Sequence, residues 1–144
     1  ILYVCTPNNP TGCVTPLATL RALATRHTGV LMIDEAYAEF AGVSAVQLVR
    51  EFDRVLVVRT MSKAFGLAGL RIGYAIGQPA LVTEVEKSRG PYKLTSLAER
   101  VAVAAVRDDM AWVQEHVALG VSLREQLAEA LRARGFAPLP SGAN

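Results

Sequence analysis

Cysteine is scarce, neither sign of charge dominates and no long apolar run occurs, and each shortage removes a class of reading. Only Cys5 and Cys13 carry thiols among 144 residues. Nothing pairs them, so reduced thiols of a cytosolic protein are expected rather than a disulfide framework. Lysine and arginine number 15 against 13 acidic residues, a formal charge of +2. The basic residues are also scattered, which leaves no footprint for nucleic acid. No apolar run reaches membrane-spanning length, so no membrane partner is expected. The glycines around Gly66 do not spell a dinucleotide fingerprint, and no Gly-Lys-Ser/Thr phosphate loop exists. His27 and His116 have no cysteine or carboxylate at ligand spacing, so no metal site is expected. Internal repeats and low-complexity linkers are missing as well.

What is present is an alternation of strand-like and helix-like segments, the mark of an α/β layer fold. Ile1 to Cys5 is a short apolar run ending in a turn-rich loop, as a buried parallel strand should. Thr15-Pro16 supplies a cap and a first-turn proline for a helix with Leu17, Leu20 and Leu23 on its buried stripe. That helix should end near His27, with Gly29 as its stop. Val30 to Ile33 is the next strand, followed by a helix over Ser44 to Phe52 and a third strand within Arg54 to Arg59. Arg71 to Gly77 alternates loosely as a fourth strand. Helices are then expected over Pro79–Lys87 and Ser96–Arg107, separated by the breaker Gly90-Pro91. A longer helix follows, with Leu119, Leu123, Leu127 and Leu131 four apart and Gly135 as its stop. Phe136 to Leu139 reads as strand-like.

Three of these strands lead into strings of unusual composition: Pro7-Asn8-Asn9-Pro10-Thr11-Gly12, Ile33-Asp34-Glu35-Ala36-Tyr37, and Thr60-Met61-Ser62-Lys63-Ala64-Phe65-Gly66-Leu67-Ala68-Gly69-Leu70-Arg71. In open α/β sheets, ligands bind beyond the carboxyl ends of the strands, so the three strings are expected to form one site. Taken singly, each residue has an ordinary alternative. Lysine is usually a solvated surface residue, but the small and apolar neighbours of Lys63 are poor company for an exposed helix face. Ser62 reads equally as a helix N-cap, and Arg71 as half of an ion pair. Asn9 lies in a common turn dipeptide, Tyr37 suits a core, and Asp34 suits a helix cap. At the end of a buried strand, however, an ionised Asp34 is costly without a partner. Glu35 and Glu39 read as structural or solvated.

Together the strings resemble the cofactor-binding residues of fold-type-I pyridoxal 5'-phosphate (PLP) aminotransferases, and within that class the histidinol-phosphate aminotransferase branch. The resemblance covers essentially the whole chain, with its most specific motifs between Pro7 and Gly77. It implies that Lys63 holds the cofactor aldehyde and shuttles a proton once substrate displaces it. Thr60, Ser62 and Arg71 would cradle the phosphate, the hydroxyls at a strand-to-helix junction and the arginine as a planar, permanently charged fork. Asp34 would keep the pyridine nitrogen protonated. Tyr37 and Asn9 would both reach the phenolate oxygen. The implied catalytic residues are therefore Lys63, Asp34 and Tyr37, and the cofactor-binding set is Asn9, Asp34, Tyr37, Thr60, Ser62, Lys63 and Arg71.

The resemblance also implies a homodimer with its sites at the subunit interface, and small amino-acid and 2-oxo-acid substrates. Residues 1–95 would be the second half of the large, mostly parallel α/β/α domain, and residues 96–144 the interdomain helix and start of the small α+β domain. The branch follows the texture of Ser62 to Tyr74 and Pro91-Tyr92, shared with aromatic amino-acid aminotransferases and a threonine-phosphate decarboxylase. The upstream phosphate-binding loop, the aromatic that stacks on the ring and the arginine that grips the substrate carboxylate have no counterparts here. With strand-like segments at both ends, the isolated chain is expected to be an internal fragment, associating through exposed edges and without turnover.

Overall fold

The computed structural model describes residues 1–144. Its centre is a four-stranded sheet in the order β1 (Leu2–Cys5), β2 (Leu31–Asp34), β3 (Val55–Thr60), β4 (Gly73–Gly77). The first three strands run parallel, with Cys5 opposite Asp34 and Asp34 opposite Val58. β4 returns antiparallel on β3, pairing Thr60 with Gly73. The mostly parallel α/β sheet expected from the sequence is therefore present, and its fourth strand closes the edge from the other direction.

Side chains alternate between the two faces of a strand, and the strand sequences use that alternation. Leu31 and Ile33 of β2, with Val55 and Val57 of β3, point to one face and are almost wholly buried. They pack against Leu20 and Ala24 of α1 (Leu17–Arg26) and against Leu48 and Val49 of α3 (Leu48–Glu51). Tyr3, Cys5, Met32 and Asp34 occupy the opposite face. Burying one such aliphatic side chain contributes roughly 1.5–3 kcal/mol, so this cluster anchors the strand ends that carry the site.

The ends of α1 differ from expectation. Pro16, not Thr15, stands at its N-cap, and the Thr15 amide instead donates to Thr6 Oγ1 at 2.9 Å. At its other end His27 turns the chain into extended backbone, φ −82° and ψ 126°, so no left-handed glycine is needed and Gly29 is not the stop.

The helix expected over Ser44–Phe52 shrinks to one turn at Leu48–Glu51. Residues 43–45 run instead as a loop pinned to the end of β2: Glu35, only 1% exposed, accepts the Ser44 hydroxyl at 2.8 Å and the Ala45 amide, and the helical turn begins after it. Before it, α2 (Ala38–Ala41) is another single turn, ended by Gly42 at φ +65°.

Beyond the sheet, α4 (Pro79–Ser88) begins on its proline, and α5 (Ser96–Asp108) is capped by Thr95 Oγ1 accepting the Ala98 amide at 3.2 Å. The 23-residue α6 (Met110–Arg132) extends about 35 Å. A second apolar cluster joins Met61, Ala64, Phe65 and Ile72 to Ala98, Ala105 and Val113 of these helices. Only the first half of α6 is held this way. Phe40 closes on Gly120, but Leu119, Leu123 and Leu127 are 53%, 53% and 61% exposed, so the leucine stripe is not a core stripe within this chain. Residues 136–139 form no strand; the tail returns instead to the loop after β1, where the Gly142 amide donates to the Gly12 carbonyl at 2.8 Å. No helix is long and apolar enough to cross a membrane.

Candidate active site

The carboxyl ends of β1, β2 and β3 lie side by side, and each releases one of the three strings. The loop after β1 carries Asn9, whose amide donates to the Tyr37 hydroxyl at 3.2 Å. Tyr37 is buried just ahead of α2, with its ring tilted against Phe40 at 6.5 Å between centroids. The Lys63 ammonium stands 5.2 Å above the centre of the same ring. Asn9, Tyr37 and Lys63, far apart in sequence, are thus direct neighbours.

Lys63 owes its position to what flanks it. Met61, Ala64 and Phe65 are buried in the second cluster, and Ser62 and Lys63 between them are turned outward. The apolar company of this lysine is the anchor of its loop. The segment is a turn and not the start of an α-helix: the Ser62 amide donates to Thr60 Oγ1 at 3.1 Å, and only a 3₁₀ turn at Ala68–Leu70 follows. A phosphate here would meet side chains and turn amides, without an α-helix terminus beneath it. This corrects the expected strand-to-helix junction.

Asp34 is held at both oxygens. Oδ1 accepts the Ala36 amide at 2.9 Å, closing a local turn, and Oδ2 accepts the Tyr3 hydroxyl at 2.5 Å. Tyr3 lies on the same sheet face as Asp34, and sequence reasoning missed it. The signal was its two-residue offset from Cys5 on the strand neighbouring Asp34. The bond to Asp34, then burial, pushes the Tyr3 phenol well above the ordinary range, so it remains a donor.

The strand ends are tied together beneath the site. Arg59, one residue before Thr60, donates from Nη2 and Nε to Glu35 Oε2 at 2.8 and 3.1 Å, and Glu35 directly follows Asp34. Glu39 lies 3.4 Å from the same guanidinium; burial raises its carboxyl above the usual range against the pull of Arg59. Glu35 and Glu39 are thus structural.

Thr60 Oγ1 also donates to the Ile72 carbonyl at 3.2 Å, which fixes the turn against β4. Arg71 adopts φ +54° after the 3₁₀ turn and donates to the Ala68 carbonyl at 3.2 Å. It forms no ion pair and no hydrogen bond to Thr60 or Ser62. The structure thus brings Asn9, Tyr37 and Lys63 into contact, sets Asp34 on Tyr3 and Thr60 on Ser62, and leaves Arg71 at the rim. Lys63, the Ser62 hydroxyl and Arg71 all lack an anionic partner, a donor set suited to an anionic ligand beside one fixed carboxylate.

The loop after β1 is shaped by a close approach. Gly12 has φ +71°, and a Cβ there would fall 2.3 Å from Ser141 Oγ, so the return of the tail requires glycine. Ser141, Ala143 and Asn144 thereby line a small cleft with Asn9 and Tyr37, a contribution that no motif foretold.

The sequence matches the family described as aminotransferase class I and II over residues 1–144. The chain belongs to this family. Among its relatives, the histidinol-phosphate aminotransferase of Geobacter sulfurreducens is 40% identical over 144 residues, covering 100% of this chain and 41% of that protein. The crystal structure of the histidinol-phosphate aminotransferase from Sinorhizobium meliloti in complex with pyridoxal-5'-phosphate superposes with a TM-score of 0.89 at 31% identity, covering 99% of this chain and 40% of that one. A putative histidinol-phosphate aminotransferase from Erwinia carotovora atroseptica gives 0.90 at 28% identity, covering 99% and 43%. The chain therefore spans about two-fifths of the length of the relatives it matches, and the expected α/β fold of the aminotransferase family is borne out.

Proposed function

We propose that these residues form the cofactor-binding part of a PLP-dependent aminotransferase that moves an amino group between histidinol phosphate and a 2-oxo acid such as 2-oxoglutarate. One observation carries the reading: an unpaired lysine stands over Tyr37, itself bonded to Asn9, beside a carboxylate held at both oxygens, all at the carboxyl ends of three parallel strands. Family membership and the relatives' shared name support it, the latter across the full length of this chain.

The residues present fit the group. When bound, PLP supplies an aldehyde and a protonated ring that withdraws electrons from the substrate α-carbon. Asp34 would hold the proton on the pyridine nitrogen. Asn9 and the Tyr37 hydroxyl would bind the phenolate oxygen, and Thr60, Ser62 and Arg71 the phosphate. Lys63 Nζ would hold the aldehyde carbon in the resting enzyme, then take a proton from the substrate α-carbon and return it. Its place beside the Tyr37 ring, with no carboxylate partner, leaves the amine free to reach the cofactor and the substrate.

The same reading assigns residues 1–95 to the large domain and 96–144 to the interdomain helix and start of the small domain. It also gives a cytoplasmic homodimer. Borohydride reduction of the PLP-loaded full-length protein, followed by peptide mapping, should place the label on Lys63. A label on another lysine overturns the assignment. Amino-group transfer to the cofactor, followed in the visible spectrum with histidinol phosphate, phenylalanine, tyrosine and phosphothreonine in turn, should be fastest with histidinol phosphate. Release of carbon dioxide from phosphothreonine would replace the transaminase reading with a lyase.

A further inference from the structure

Asp34 is the one carboxylate among the site residues, and a carboxylate at a strand end is free to swing about its last torsion unless something holds it. Here two donors hold it from different elements. The Ala36 amide, two residues on, fixes Oδ1; the Tyr3 hydroxyl, from the adjacent strand, fixes Oδ2. Cys5 is opposite Asp34 in the β1–β2 register, and Tyr3, two residues earlier, projects from the same face. The hydrogen-bonded ladder therefore sets the distance from the tyrosine backbone to the carboxylate, and the long phenol spans the diagonal. Tyr3 is 55% exposed, so its ring adds little to the core, and its defined contact is the one made through oxygen.

We propose that Tyr3 is a positioning residue for Asp34, orienting the carboxylate through its hydroxyl. The role rests on the reading of Asp34 as the partner of a protonated pyridine nitrogen. A hydrogen bond to a carboxylate is stronger than one between neutral groups, so one well-placed hydroxyl can fix its orientation. The other ionisable side chains at these strand ends are Cys5, Glu35, Tyr37, Glu39, Arg59 and Lys63; the two glutamates are turned onto Arg59. None of them hydrogen-bonds to Asp34, so Tyr3 is the only side chain that does. The raised phenol pKa has the same origin and keeps the proton on Tyr3 through the neutral range.

The test uses the full-length protein as wild type, Tyr3→Phe, Asp34→Ala and the double variant. Tyr3→Phe keeps the ring, so loss of packing leaves it silent and loss of the hydroxyl does not. It should weaken PLP binding by about 5-fold while leaving the affinity for inorganic phosphate unchanged. In the Asp34→Ala background the same change should have no further effect, because the partner is gone. In the cofactor-free protein at fixed neutral pH, the Asp34 carboxyl-carbon NMR resonance should be displaced in Tyr3→Phe, because one of its two donors is gone. Wild-type PLP affinity together with an unmoved Asp34 resonance would overturn the proposal, as would a loss that persists in the Asp34→Ala background. If the wild-type protein bound no PLP, the functional reading would fall, and the resonance of the cofactor-free protein would still decide the role of Tyr3.

Discussion

The sheet half and the helical half of this chain are stabilised by different means. In the sheet, Leu31, Ile33, Leu48, Val55 and Val57 are buried against one another, and the carboxyl ends are cross-tied by Glu35 and Arg59. In the last helix only Val113 is fully buried, and three leucines of one stripe face outward. Every residue expected to bind the cofactor belongs to the first half. The contrast teaches where a site of this kind can be placed: on backbone fixed by a ladder, a filled core and a buried ion pair, so that side chains reach the ligand without first paying to be ordered.

The largest effect expected is at Lys63. Lys63→Ala in the full-length protein should lower turnover by about 10²–10⁴-fold and abolish borohydride-fixed label, with the fold unchanged by circular dichroism. Retained turnover would move the chemistry elsewhere. Asp34→Ala should remove most transaminase activity yet keep weakened PLP capture, since Thr60, Ser62 and Arg71 remain.

The clamp under the site comes next. Glu35→Ala strips the partner from half-buried Arg59 and from the Ser44 and Ala45 donors, and should cost about 3–5 kcal/mol, read by denaturant unfolding. A cost below about 1 kcal/mol would show that the strand ends do not depend on it.

A matched pair sharpens the contrast between the halves. Ile33→Ala, in the sheet core, should cost about 2–5 kcal/mol. Leu123→Ala, on the exposed stripe, should cost under about 1 kcal/mol in this 144-residue chain, and similar values would erase the distinction. The smallest effect is at the rim: Arg71→Ala should raise the PLP requirement by about 10-fold without changing the melting temperature of the cofactor-free protein, because Arg71 holds only the Ala68 carbonyl.

Much of this was legible from the residues. The four strands and the helices expected over Pro79–Lys87 and Ser96–Arg107 follow from local apolar patterns and breakers, which act over a few residues. The helix over Ser44–Phe52 shrinks to one turn although its local pattern is helical, because Ser44 and Ala45 are pinned to Glu35, nine and ten residues earlier. The leucine stripe was legible as amphipathic, but periodicity reports which residues share a face and not whether anything covers it.

The site divides along the same line. The identities of Asn9, Asp34, Tyr37, Thr60, Ser62, Lys63 and Arg71, and their position after three successive strands, were determined by sequence alone, because short motifs and strand ends are local features. The tertiary structure decided the rest: Lys63 above Tyr37, Tyr3 on Asp34, Arg59 on Glu35 and the tail beside Gly12. Those contacts join residues 24 or more positions apart, and their distances are set by strand register and core packing, which no short window of sequence contains.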